Sequence, residues 1–185
     1  LLAKKLRSRD DTLIIKTSFE ALGHSAFTTE TAFSAAFLAL IKKQCTQYQL
    51  KEELKIVENH PPGTFTSLDS FITDFTKQKK AILMIDEVDA ATNNDLFLKF
   101  LALLRSKFLA RIEGEDTTFY SVILAGLHDV KNMKHKINPG SQGRYNSPWN
   151  IAVDFNIDLA FSAAAIETML RDYMNEKKVD MNIPS

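Results

Sequence analysis

Short, mostly apolar runs alternate along the chain with longer segments in which apolar residues recur every three or four positions. The apolar runs are rich in β-branched residues, which predicts buried strands. These runs cover residues 12–17, 81–85 and 120–126. The recurrence at three and four positions predicts amphipathic helices. These helices cover residues 29–48, 67–79, 94–112 and 162–178, and residues 1–8 have the pattern of the end of another.

Because strands and helices alternate, we predict an α/β fold with a mainly parallel sheet covered on both faces, a three-layer α/β/α arrangement. A weaker strand is expected over residues 150–155. Residues 49–66 are charged and contain Pro61-Pro62-Gly63, which predicts an exposed loop. We assign residues 1–160 to the α/β core and residues 161–185 to the start of a helical lid or a C-terminal helix.

The composition limits the classes of function. The chain has 185 residues, with 23 basic and 23 acidic side chains, and a formal net charge of zero does not favour a nucleic-acid or membrane-surface binder. No apolar run approaches the roughly 20 residues that a membrane-spanning helix needs. No signal peptide opens the chain, so we expect a cytoplasmic protein. The single Cys45 excludes an internal disulfide or a multi-cysteine zinc site, and we interpret it as a buried small hydrophobe.

The clearest chemical signal is the apolar run 81–85 followed at once by Asp86 and Glu87. In an open parallel sheet, ligands bind beyond the carboxyl ends of the strands. A carboxylate at that position can hold a Mg²⁺ ion that bridges nucleotide phosphates. A neighbouring carboxylate can orient or deprotonate an attacking water. The motif alone fits equally well a buried strand whose next turn begins with two solvated acids.

This run resembles the Walker B motif, with its adjacent catalytic glutamate, of the AAA-like P-loop ATPase domains (ASCE type) of prokaryotic proteins. The downstream order is also similar, with Ser-Pro-Trp-Asn-Ile-Ala at 147–152 and Phe-Ser at 161–162 opening the last helix. The resemblance implies that the intact protein binds and hydrolyses ATP. It further implies that Asp86 binds Mg²⁺ and that Glu87 activates the water.

Two further roles follow only from this resemblance. His128 lies nearest to the position of the sensor residue that contacts the γ-phosphate, although the family uses Asn, Thr or Ser there; a helix-capping or exposed histidine is the alternative. Arg144 is a better arginine-finger candidate than Arg105 or Arg111, because it lies in the irregular segment before residues 146–148. An ordinary surface arginine is the alternative.

One element of the family pattern is missing. A P-loop ATPase holds phosphates with a Gly-x-x-x-x-Gly-Lys-Ser/Thr loop, and the 185 residues contain no such run. The chain begins at Leu1, already in a helical pattern, so we expect a fragment whose P-loop lies upstream in the intact protein. We expect no appreciable ATPase activity from the fragment itself. A family member that has lost the loop is the alternative.

Two functions of other classes compete with the ATPase hypothesis. The domain could be a non-catalytic module that presents its Phe-rich helices to a protein partner or to a second copy. It could also be a phosphoacceptor of the response-regulator kind, but Asp10 and Asp11 precede a strand, whereas that chemistry needs them after one. The basic residues at 131–136 could contact nucleic acid, yet a solvated helix face explains them as well.

Overall fold

The structure is a computed structural model, and it describes residues 2–7, 11–20, 22–91, 95–126, 153 and 162–179. The strands are β1 (Thr12–Ser18), β2 (Lys80–Asp86) and β3 (Ser121–Leu124). The α-helices are α1 (Leu2–Leu6), α2 (Glu30–Gln47), α3 (Lys51–Asn59), α4 (Phe65–Thr76), α5 (Asp95–Glu113) and α6 (Ala163–Lys177). Two short 3₁₀ helices cover His24–Phe27 and Val88–Ala91.

The three strands form one parallel sheet in the order β1-β2-β3. The strand β2 is therefore flanked on both sides, with Ile15 opposite Leu83 and Leu83 opposite Val122. The α/β class, the parallel sheet and all three of these strands were predicted from the apolar runs and are confirmed. The predicted strand at residues 150–155 lies outside the described residues, apart from Val153.

One face of the sheet carries the hydrophobic core. Side chains alternate between the faces of a strand, and the members that point to the core are Leu13, Ile15, Ala81, Leu83 and Ile85. Buried residues of α2, α4 and α5 complete this core, and Val57 of α3 also belongs to it. Crossovers between parallel strands are right-handed as a rule, so two successive crossovers in the order β1-β2-β3 run on the same side of the sheet, which accounts for this arrangement.

The phenylalanines of the helices belong to this core. Phe33 and Phe37 of α2 and Phe100 of α5 are fully buried, and the Phe100 ring centroid lies 5.1 and 5.0 Å from those of Phe33 and Phe37. Phe19, directly after β1, packs edge-on against Phe97 at 5.8 Å. The idea that these helices present phenylalanine to a partner is therefore wrong for these residues, because their rings hold the helices on the sheet.

The predicted loop at 49–66 is wrong in its first half, where residues 51–59 form α3. The side of α3 that faces the core carries Leu54, Val57 and Glu53. Because Glu53 is charged, the amphipathic pattern of this helix was not recognised in the sequence. Glu53 is buried because Lys79 Nζ lies 2.7 Å from its Oε1 and neutralises it. The helix ends where Pro61 and Pro62 follow, as the breaker residues require.

Other helix boundaries differ in detail from the prediction. Helix α2 begins after Thr29, whose side chain accepts a hydrogen bond from the Ala32 amide, as expected of an N-cap. Helix α4 spans residues 65–76 instead of 67–79, so Ser67 does not cap it. In α5, the charged Lys107 is buried, whereas the apolar Leu109 is 40% exposed.

The chain divides into two compact units, Leu1–Ile151 and Ala152–Ser185. The second unit contains α6, capped by Ser162 as predicted. Its apolar residues Ile166, Met169 and Tyr173 are each about half exposed. No helix in the described ranges is both long and apolar enough to cross a membrane.

Candidate active site

The carboxyl ends of the three strands meet at one edge of the sheet, and the acidic pair lies there on the middle strand. Asp86 is the last residue of β2 and is in register with Ser18, the last residue of β1. Backbone pairing with β2 continues beyond the ends of β1 and β3. The Phe19 amide, after β1, donates to the Asp86 carbonyl at 2.9 Å, and the Ala125 amide, after β3, donates to the Ile85 carbonyl at 2.9 Å. The position predicted for these acids is thus the position that they occupy.

The Asp86 carboxylate is half exposed and already has polar neighbours. Its Oδ1 accepts a hydrogen bond from the Glu87 amide at 3.2 Å. Its Oδ2 lies 3.8 Å from Lys16 Nζ, and both side chains are about half exposed. A surface ion pair of this kind contributes at most about 1 kcal/mol, so a divalent cation can displace Lys16 from the carboxylate.

Glu87 has an unusual backbone. Its φ is 55°, in the left-handed region that a residue with a Cβ adopts at a cost of about 1–3 kcal/mol. Hydrogen bonds on both sides hold it there: the Asp86 carbonyl accepts from Phe19, and the Val88 amide donates to the Ala125 carbonyl at 3.1 Å. Val88 is fully buried, so the turn is anchored while Glu87 is exposed. Strained non-glycine residues of this type are concentrated at functional sites.

Sequence reasoning missed two residues at this edge. Lys16 interrupts the apolar run of β1, and its pairing with Asp86 depends on the register between β1 and β2. Ser18 places a hydroxyl on the strand position next to Asp86, and that hydroxyl also accepts a hydrogen bond from the Glu20 amide at 3.2 Å. The sequence shows that both positions are polar, and this was the available signal. It does not show which strand pairs with β1 or in which register the two strands pair.

The carboxylates at this edge suit Mg²⁺, which needs few protein ligands, better than a metal ion that is coordinated by protein side chains alone. Within the described ranges, no group of three or more His, Cys, Asp or Glu side chains could hold a metal ion. Mg²⁺ usually keeps several waters and binds through one or two carboxylates together with substrate phosphates. Asp86, with Glu87 beside it, meets that requirement.

Among the other candidate site residues, the structure describes only Arg105 and Arg111. His128 and Arg144 lie outside the described residues. Arg111 lies at the opposite edge of the sheet, where its Nη1 donates to the Phe119 carbonyl at 2.8 Å. The seven residues of β2 separate the two edges by about 20 Å, so Arg111 cannot act in cis as an arginine finger on a phosphate held at Asp86. Arg105 is partly buried in α5.

Cys45 is not part of a catalytic site. Its side chain is fully buried in the core. Burial, followed by the nearby charge of Glu53, raises the pKa of the thiol to about 11. The thiolate is therefore scarce at neutral pH, which confirms the interpretation of Cys45 as a small hydrophobe.

Comparison of the chain with protein-family models, with curated proteins and with solved structures gives no match. The case for a function therefore rests on the geometry of this edge and on the motif that forms it.

Proposed function

We propose that this chain is part of an ATP-binding and ATP-hydrolysing domain of the AAA-like P-loop class, with a three-layer α/β/α core. The observation that supports this most is the position of Asp86 and Glu87 at the carboxyl edge of the middle strand. That edge is where parallel α/β sheets bind ligands.

In this proposal the two acids have different roles. Asp86 would hold the Mg²⁺ ion, which neutralises charge on the β- and γ-phosphates. Glu87 would accept a proton from water as the water oxygen attacks the γ-phosphorus and the bond to ADP breaks. Lys16 would leave Asp86 when the metal binds. His128 as sensor and Arg144 as finger complete the proposal.

The proposal requires a phosphate-binding loop from the intact protein. The 185 residues contain no Gly-x-x-x-x-Gly-Lys-Ser/Thr run, whose backbone amides and lysine would cradle the phosphates. We therefore expect hydrolysis by the intact protein and none by residues 1–185 alone.

The test is a comparison of Mg²⁺-dependent ATP hydrolysis by the intact protein, by residues 1–185 and by two variants of the intact protein. We expect Glu87→Gln to lower kcat by 10²-fold or more, the scale of a general base. Glu58→Gln is the matched control, because Glu58 is an exposed glutamate paired with Lys42 on the helical side. Equal turnover by the fragment would reject the need for a P-loop, and full activity of Glu87→Gln would reject the role of Glu87.

The second candidate is a non-catalytic module that binds a protein partner or a second copy. The specific observation in its favour is α6, where Ile166, Met169 and Tyr173 form one apolar stripe at helical spacing and each is about half exposed. This candidate predicts that millimolar Mg-ATP does not raise the melting temperature of the intact protein, whereas an ATP-binding domain is stabilised by its ligand.

A further inference from the structure

A basic cleft lies at the amino edge of the sheet, the edge opposite Asp86 and Glu87. It has a volume of about 270 Å³. Three segments form it: the turn from α4 into β2 at residues 76–80, the carboxyl end of α5 at Arg111, and the segment 117–120 that leads into β3. Four of its lining side chains are cationic: Lys77, Lys79, Lys80 and Arg111.

Two of the cations are held in place around Tyr120. The Arg111 Cζ lies 5.5 Å from the centre of the Tyr120 ring, and the Lys80 Nζ lies 5.8 Å from it. The Arg111 guanidinium also donates to the Phe119 carbonyl. Such a contact uses one of the five N–H groups of arginine, and the planar fork that remains suits a phosphate.

The charges at the cleft do not cancel. Lys79 pairs with Glu53 at 2.7 Å and Lys80 with Asp11 at 3.1 Å. The carboxyl ends of α4 and α5 lie at this edge and contribute about half a negative charge each. Asp116, next to Thr117 of the lining, is also acidic, but it pairs with the buried Lys107. Within the described residues, no ion pair is found for Lys77 or Arg111, so the helix ends and the two carboxylates do not account for all four cations.

We propose that this cleft binds a phosphate group, either free inorganic phosphate or the phosphoryl end of a small phosphate monoester. Lys77, Lys80 and Arg111 supply the charge-assisted hydrogen bonds that phosphate oxygens accept, and Thr118 lines the same space. The volume lies below the roughly 300–1,000 Å³ of sites for whole drug-sized ligands, so it suits a phosphate head group. This site is independent of the proposed ATPase function.

The test is a titration of the chain with inorganic phosphate and, separately, with glycerol phosphate, followed by NMR of backbone amides. Ionic strength is held constant and divalent metals are left out, so that binding at Asp86 does not contribute. We expect saturable shifts at residues 76–80 and 117–120. The double variant Lys77→Gln/Lys80→Gln should raise Kd about 10-fold or more, which is about 1.4 kcal/mol.

The control is Lys99→Gln, an exposed lysine of α5 that lies about 18 Å along the helix from Arg111. It should leave Kd unchanged, and thermal unfolding should show that all variants fold. Equal affinities for the two probes would identify free phosphate as sufficient, and tighter binding of the ester would identify a phosphorylated ligand. Non-saturable shifts, or an unchanged Kd in the double variant, would overturn the proposal and leave these lysines only the role of stabilising the end of α4.

Discussion

Glu87 combines a chemically useful side chain with a costly backbone. Hydrogen bonds of the neighbouring residues and the burial of Val88 maintain its φ of 55°. These interactions offset the conformational energy of the left-handed backbone. The sequence predicts an acid at this position but gives no sign of the left-handed backbone. Glycine or asparagine would have indicated such a turn, and glutamate does not.

Glu87→Gly should therefore stabilise the fold while removing the proposed base. Glycine adopts a positive φ without steric cost, so we expect the free energy of unfolding to rise by about 1 kcal/mol. Chemical denaturation of the chain measures this directly. The control is Glu115→Gly, at an exposed glutamate with no positive φ, where glycine should not stabilise. Destabilisation at both positions would show that the backbone of Glu87 is not strained.

At the scale of elements, α4, α5 and the segment before β3 are joined by one buried lysine. The Lys107 Nζ contacts Asp69 at 3.0 Å, Thr73 at 2.7 Å and Asp116 at 2.5 Å, and its side chain is 1% exposed. Thr73 also donates to Asp116 at 2.9 Å. Every neighbour is a hydrogen-bond acceptor for the ammonium group, so the lysine is buried with its charge satisfied.

The strands and most helices were predictable because their period is carried by apolar residues. The exceptions, α3 and the interior of α5, have a charged residue on the buried side. Glu53 and Lys107 are each accommodated by a partner distant in sequence, Lys79 for the first and Asp69 for the second. The hydrophobic pattern of one segment carries no information about a partner elsewhere in the chain. The buried sides of α3 and α5 were therefore predicted wrongly.

Removing the Lys107 charge should weaken this junction. Lys107→Met keeps the length of the side chain but removes the one cation that Asp69 and Asp116 share, so we expect a loss of about 2–3 kcal/mol in the free energy of unfolding. Lys99→Met, an exposed position on the same helix, should change it by less than about 0.5 kcal/mol. Similar small effects for both would mean that the network does not stabilise the fold.

The same network predicts a dependence on acid. Burial raises the pKa of Asp116, but hydrogen bonds from Lys107, Thr73 and the Thr117 amide outweigh it and lower the pKa below its ordinary value. A lowered native pKa adds stability above about pH 4, which is lost as pH falls through the native value. The free energy of unfolding of wild type should therefore exceed that of Asp116→Asn at neutral pH, and this difference should shrink as the pH falls below about 4. A constant difference between the two from pH 7 to pH 2 would contradict this.

For the whole molecule, the parallel sheet separates two chemistries. The carboxyl edge carries Asp86 and Glu87, and the amino edge carries the basic cleft around Arg111. The first was predictable, since a motif contiguous in sequence forms it. The second was not, because Arg111 of α5 is brought beside the lysines of residues 77–80 only in the folded sheet.

The most direct measurement of the central claim is calorimetric titration of the intact protein with a non-hydrolysable ATP analogue, with and without Mg²⁺. The account predicts that Mg²⁺ strengthens binding in wild type and that Asp86→Asn abolishes this gain, weakening the metal-dependent affinity at least 10-fold. Asp74→Asn, at a half-exposed aspartate of α4 that pairs with His60, should bind as wild type does. Equal affinity in wild type and Asp86→Asn, or no effect of Mg²⁺ in either, would contradict it.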